Sequence, residues 1–177
     1  QTQSVTDFSV PSEGYGQFLV DVFHEWYAHD VGKVYVSQFD NLLGQWLGYP
    51  STTCVHQPTC GQSLVTEANG DVYACDHFVY PEYKVGNLTQ QPLTEIVLSS
   101  KQQQFGLEKS QKLTALCRRC EFRKLCYGGC PKHRFISLEN EPNPHNYLCA
   151  SYRYFFEQTA SYMQAMARQI RLHPSAA

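Results

Sequence analysis

Residues 117–131 read CRRCEFRKLCYGGCP, and this stretch governs how the rest of the chain is interpreted. Cys117, Cys120, Cys126 and Cys130 crowd into it. Too little chain separates them to build a hydrophobic core, so a bound metal must organise the segment. Gly128 and Gly129 let the backbone come close to whatever is bound. Cys54, Cys60 and Cys75 stand upstream and Cys149 downstream, which makes eight cysteines in 177 residues.

Eight thiolates suffice for two four-iron clusters with none left over. Cys126 to Cys130 followed by Pro131 repeats the Cys-x3-Cys-Pro ending of bacterial two-cluster ferredoxins, in which the cysteine before the proline ligates the other cluster. The spacing therefore points to two interleaved sites. An even count also suits a disulfide framework, but a chain that is 42% hydrophobic and of this length can bury a core without staples. Structural zinc takes four thiolates too and favours CxxC pairs. Only Cys117 and Cys120 form such a pair, without the usual second knuckle, and spacing alone leaves zinc open.

With 14 Lys and Arg against 16 Asp and Glu, the chain has no global field to recruit nucleic acid or an anionic membrane. A nucleic-acid partner would also need a wider basic face with stacking aromatics. No run approaches the roughly 18 apolar residues of a membrane span. Gln1 to Asp7 is polar and lacks the basic start and apolar stretch of a signal peptide. Without an initiating Met the chain reads as a piece cut from something longer, and reduced thiols in this number favour the cytoplasm.

Helical spacing of Phe18, Leu19, Val22, Phe23, Trp26 and Tyr27 predicts an amphipathic helix from an N-cap at Ser12 to Gly32. Lys33 to Phe39 alternates as a strand would, and Asn41 to Leu47 predicts a second helix ending at Gly48. Ser63 to Glu67 and Asp71 to Cys75 form a hairpin turned by Asn69-Gly70, so Cys60 and Cys75 bracket it. Pro92 opens a helix to about Ser99, with another over Lys101 to Leu107. From about Asn146 a long helix carries Tyr152, Phe155, Phe156, Thr159, Met163, Met166 and Ile170 as one core stripe.

The order Cys60, Gly70, Cys75, then CxxCx5Cx3C, then Cys149 resembles the seven-cysteine SPASM domain of peptide- and protein-modifying radical S-adenosylmethionine enzymes. The extra Cys54 and the strings TCGQSLVTEANGDVYACDHFVYPEYKVGN and CYGGCPKHRF resemble more narrowly the anaerobic sulfatase-maturating enzymes. The resemblance runs from about residue 10 to 165. It implies an α+β fold: a cysteine-rich SPASM domain over 49–177 with a β-hairpin, short helices and a long C-terminal helix. Residues 1–48 would be a helix-strand-helix remnant of a partial (β/α) barrel. It further implies one 4Fe-4S cluster on Cys54, Cys60, Cys75 and Cys130, and a second on Cys117, Cys120, Cys126 and Cys149. An iron with full cysteine ligation has no open position and is left with electron transfer or structure.

A radical enzyme needs a CxxxCxxC loop, which this chain lacks; Cys126, Cys130 and His133 come nearest in spacing. S-adenosylmethionine and a third 4Fe-4S cluster would therefore belong to a separate N-terminal radical barrel. The resemblance implies the auxiliary-cluster half of an enzyme that oxidises a sulfatase Ser or Cys to formylglycine. Its partners would be that barrel, an unfolded sulfatase or its peptide, and an electron donor. Asp76 would be the general base, taking the O-H or S-H proton once hydrogen has left the substrate Cβ. A turn-capping role is the other reading of Asp76. His77 either orients Asp76 or packs. Tyr80, Tyr83 and Tyr127 line a peptide path or fill core. Arg118, Arg119, Arg123 and Lys124 either stabilise a reduced cluster or form a solvated patch. The alternatives for the whole chain are the SPASM half of another peptide-modifying enzyme and a noncatalytic zinc module.

Overall fold

Gly16, Leu19, Val20, Phe23 and Trp26 are buried at three- and four-residue spacing along α1 (Ser12–His29), so this helix has one side to bury and one to leave in water. A computed structural model describes the chain over residues 5–61 and 63–172. The first four residues of the 1–48 unit and the last five of the 49–177 unit lie outside the described residues. Pro11, extended, is the N-cap of α1, one residue before the Ser12 expected from sequence.

The strand expected over 33–39 does not form. Its alternation has no neighbouring strand to bond with, and an isolated strand leaves its backbone groups unpaired. Instead Trp26 Nε1 donates to the Val34 carbonyl at 2.8 Å, and Val36 N donates to the Asp40 carboxylate at 2.7 Å. That second bond starts α2 (Ser37–Leu47), four residues earlier than the predicted helix at 41.

The hairpin forms as predicted, with β1 (Val65–Thr66) antiparallel to β2 (Asp71–Tyr73) in the register Val65 to Tyr73. A third strand, β3 (Lys84–Asn87), joins the other edge of β2 and gives the order β1-β2-β3. Val72, Ala74, Val85 and Ile96 make a small core beneath it. Ile96 comes from α3 (Leu93–Val97), which Pro92 caps. The helix predicted over 101–107 is longer, α4 (Ser100–Gln111), with the Ser99 hydroxyl accepting from Gln102 N at 3.2 Å.

Two short helices carry the cysteine-rich stretch, α5 (Ala115–Arg119) and α6 (Arg123–Cys126). A two-stranded ribbon follows, β4 (Arg134–Ile136) with β5 (His145–Asn146). The chain then enters α7 (Cys149–Leu172). Tyr152, Phe155, Phe156, Thr159, Met163 and Met166 of the predicted stripe are all buried there. Both α1 and α2 pack on α7. Phe23 stands at the centre, edge-on to Phe39 at 5.4 Å and to Phe155 at 6.1 Å. Residues 12–47 thus share one core with the C-terminal helix.

Candidate metal centre

Cys54 opens a single 3-10 turn, Cys54–His56. Cys60 is held by its own backbone N–H, which donates to the Gly106 carbonyl of α4 at 3.1 Å. Cys75 follows β2, where Ala74 N donates to Tyr83 O at 3.1 Å. These three sulfur-bearing residues and Cys130 border one cavity, closed by Phe78, Phe105 and Pro131. Cys117, Cys120, Cys126 and Cys149 border a second cavity, with Arg119, Arg123, His145 and Arg153 on its wall. Cys117 is set by the Thr114 hydroxyl, which caps α5 by accepting from Cys117 N at 3.3 Å. Cys149 is the first residue of α7. All eight thiols are free.

Only three residues separate Cys126 from Cys130, yet the two cysteines face different cavities. The chain crosses through three successive left-handed residues, Tyr127 (φ 48°), Gly128 (φ 73°) and Gly129 (φ 62°). Left-handed backbone costs an L-residue roughly 1–2 kcal/mol, which is why two of the three are glycine. The amides of Gly128 and Gly129 turn toward the Cys126 sulfur and offset a part of the burial that raises its pKa, while the carbonyls of Tyr127, Gly128 and Gly129 all accept from Arg134.

Burial pushes the thiols of Cys75 and Cys126 up to about 12 and that of Cys149 up to about 11. Within each group the cysteines raise one another: Cys149 and Cys117 act on Cys126, and Cys130 and Cys54 act on Cys60. Thiols raised in this way stay protonated at neutral pH unaided, and a central cation is what converts such groups to ligands. Four cysteines at each cavity, with His77 beside the first and His145 beside the second, make a soft donor set that fits iron–sulfur or zinc, not a hard cation.

Asp76 lies at the edge of the first group. Its Oδ1 accepts from Cys75 Sγ at 3.1 Å and from His77 N at 3.0 Å. The Cys75 hydrogen bond is the main reason its carboxyl sits below the usual range, with His77 adding to it. One ligand atom each from Cys75, Asp76 and His77 lies within 4.8 Å of the others, and His77 Nδ1 is 3.8 Å from Cys130 Sγ. Tyr80 is exposed and accepts from Lys132 Nζ at 2.6 Å. Tyr83 packs with Phe78 at 4.7 Å, and Tyr127 occupies the crossing turn. Arg119 and Arg123 reach the second cavity; Arg118 and Lys124 are exposed.

The model of the SPASM family, an iron-sulfur cluster-binding domain, matches residues 54–121. The chain is 44% identical over 168 residues to the serine-type anaerobic sulfatase-maturating enzyme of Bacteroides thetaiotaomicron, covering 94% of this chain and 40% of that protein. A SPASM match over 54–121 thus sits within a chain similar to anaerobic sulfatase-maturating enzymes. Identity to the cysteine-type enzyme of Clostridium perfringens is 32% over 167 residues, covering 93% of this chain and 45% of the relative. A solved structure described as native anSMEcpe with bound AdoMet and Kp18Cys peptide superposes with a TM-score of 0.82 at 31% identity. That match covers 96% of this chain and 47% of the other. The chain spans about two fifths to a half of the length of the relatives it matches.

Three residues near these cysteines carried no sequence signal: Lys109, Arg134 and His145. Lys109 is 1% exposed and donates to the carbonyls of Cys54 at 2.5 Å and Val55 at 3.0 Å. His145, buried, has Nδ1 at 3.0 Å from Thr114 Oγ1 and 3.7 Å from Cys117 Sγ. In α4 the buried positions are Gln102, Gly106 and Lys109. Their three- and four-residue spacing is that of a buried face, but hydropathy does not register a polar stripe.

Proposed function

We propose that this chain is the auxiliary-cluster half of an anaerobic sulfatase maturase, which oxidises an active-site Ser or Cys of a sulfatase to formylglycine by radical S-adenosylmethionine chemistry. Cys54, Cys60, Cys75 and Cys130 hold one 4Fe-4S cluster and Cys117, Cys120, Cys126 and Cys149 a second. What supports these ligand sets is the sorting of eight free thiols into two cavities of four. When bound, such clusters supply one-electron acceptors without an open iron for substrate. Residues 1–48 complete the barrel side and 49–177 form the SPASM unit; the radical barrel, with S-adenosylmethionine and a third cluster, lies outside this sequence. Eight cysteines read as cluster ligands rather than disulfides support a reducing compartment such as the cytoplasm. Among the described residues no helix is long and apolar enough to cross a membrane.

The chemistry asks two things of this chain's own side chains. Turning CH2–OH or CH2–SH into an aldehyde-level carbon removes one hydrogen atom, one proton and one electron. S-adenosylmethionine bound in the barrel half would supply the chemistry that removes the hydrogen atom; the proton would go to the Asp76 carboxylate, and the electron to the iron–sulfur group that Cys54, Cys60, Cys75 and Cys130 would hold. Asp76 is the exposed carboxylate closest to the first cysteine group, 3.1 Å from Cys75 Sγ, and this single placement carries its assignment as general base. Losing the proton makes the substrate radical a strong reductant, so base and electron acceptor must stand side by side. His77, whose N–H holds the Asp76 oxygen, positions it.

Anaerobic reconstitution tests the reading directly. We expect about eight irons per chain and a brown protein, because eight cysteines complete two four-iron sites. A stable protein loaded with zinc alone, or with about four irons, would reject it in favour of a metal-stabilised binding module. The same material is expected to release no 5′-deoxyadenosine from S-adenosylmethionine, since it contains no CxxxCxxC loop.

A further inference from the structure

Lys109 and Arg134 are cations placed where cations are costly. Lys109 is 1% exposed, and among the described residues its ammonium donates to the carbonyls of Cys54 and Val55 alone. Arg134, partly buried, donates to the carbonyls of Lys109 at 2.7 Å, Tyr127 at 2.9 Å, Gly128 at 3.2 Å and Gly129 at 3.4 Å. Among the described residues neither pairs with a carboxylate. Arg134 also lowers the Lys109 pKa, as a neighbouring like charge does. Carbonyl dipoles solvate a buried charge incompletely, and natural proteins pair such charges with an anion. Glu108 shares a cavity wall with both cations but is paired with Lys112, which leaves the cysteine sulfurs as the anionic groups that act on them.

The two cations differ in what they face. Lys109 interacts with Cys60, Cys54 and Cys130, all from the first group. Arg134 interacts with Cys117 and Cys126 of the second group and with Cys60 and Cys130 of the first. Its position follows from the left-handed turn between Cys126 and Cys130, whose carbonyls fork around the guanidinium. A chain segment that passes from one group to the other thus carries a fixed charge at the crossing point.

We propose that Lys109 and Arg134 form a cationic bridge that favours the one-electron-reduced state of the two cysteine sites, Lys109 for the first alone and Arg134 for both. This rests on reading both groups as iron–sulfur sites. Four thiolates make each loaded site a net anion, and an added electron deepens that charge, so a neighbouring buried cation stabilises the reduced form more than the oxidised one. No bond forms or breaks; one electron enters from the external reductant. In the maturase reaction the effect would keep the electron on this chain once the substrate proton has gone to Asp76.

The test is a potentiometric titration with dithionite of the reconstituted chain, following each reduction wave by visible absorption and electron paramagnetic resonance at matched iron content. Lys109→Gln keeps hydrogen-bond donors without the charge and is expected to make one wave harder to reduce by about tenfold in the reduced-to-oxidised ratio, about 59 mV for one electron. Arg134→Gln is expected to displace both waves in the same direction. Lys109→Arg and Arg134→Lys, which keep the charge, should return the waves toward wild type. Two unmoved waves in both Gln variants overturn the bridge, and two equally moved waves in Lys109→Gln overturn its division of labour. If one Gln variant fails to load iron, the other charge-removing and charge-keeping pair still decides. A wild-type chain with no iron-based wave would remove the underlying reading, a result distinct from waves that are present but indifferent to charge.

Discussion

At the scale of single residues, the interest of Asp76 lies in what its hydrogen-bond donor becomes. Its carboxyl is held below the usual range first by the Cys75 thiol. A Cys75 committed to a metal is a thiolate with no proton to donate and with a negative charge beside the carboxylate. Both changes raise the carboxyl's affinity for a proton, so loading the first site makes Asp76 a better base. Asp76→Asn keeps the shape and removes the base. In the full-length enzyme it should leave iron content and S-adenosylmethionine cleavage intact while formylglycine formed per 5′-deoxyadenosine falls by roughly 10²- to 10⁴-fold. The readout is that ratio on a sulfatase peptide. A ratio equal to wild type would leave Asp76 as a turn residue, and loss of iron would make its role structural.

Single elements explain what the sequence made legible and what it hid. The hairpin around Asn69-Gly70 and the stripe of α7 were legible because local turn chemistry and helical periodicity are properties of short windows. The strand expected at 33–39 failed because alternation alone cannot supply a neighbour to pair with. The short strands β3, β4 and β5 went unseen for the converse reason: two to four residues of strand are specified by the partner they meet, not by their own pattern. In α4 the hidden information is steric. A Cβ added at Gly106 would stand 2.6 Å from the Cys60 carbonyl oxygen. Gly106→Ala should therefore push the helix off the Cys60 loop, at about 1–3 kcal/mol for overpacking, against a helix-propensity gain of about 1 kcal/mol. Urea unfolding should show net destabilisation, and iron should be lost first from the site containing Cys60. A variant more stable than wild type would mean that the loop yields freely.

Across the whole molecule, two unequal apolar cores carry the two cysteine groups. The larger core joins α1, α2 and α7 through Phe23, Phe39, Phe155 and Phe156, and Cys120 and Cys126 pack partly against it. Phe122 and Leu148, next to the second group in the chain, belong to it as well. The first group leans instead on the small core of Val72, Ala74, Val85 and Ile96 beneath the three-stranded sheet. A helical core of aromatic side chains persists without metal, since burying large rings is among the strongest stabilising contributions available. A four-residue core does not, and loops that owe their shape to ligands lose it with the metal. Removing iron anaerobically with a chelator should then open the chain in a set order. Amide hydrogen exchange should rise most over residues 54–61 and 75–78, less over 117–130, and least in α1, α2 and α7. Far-ultraviolet circular dichroism should retain most of its helical signal. Uniform loss of protection would show that metal and helices fold as one cooperative unit, and unchanged protection at 54–61 would show that the first group is built by the polypeptide alone.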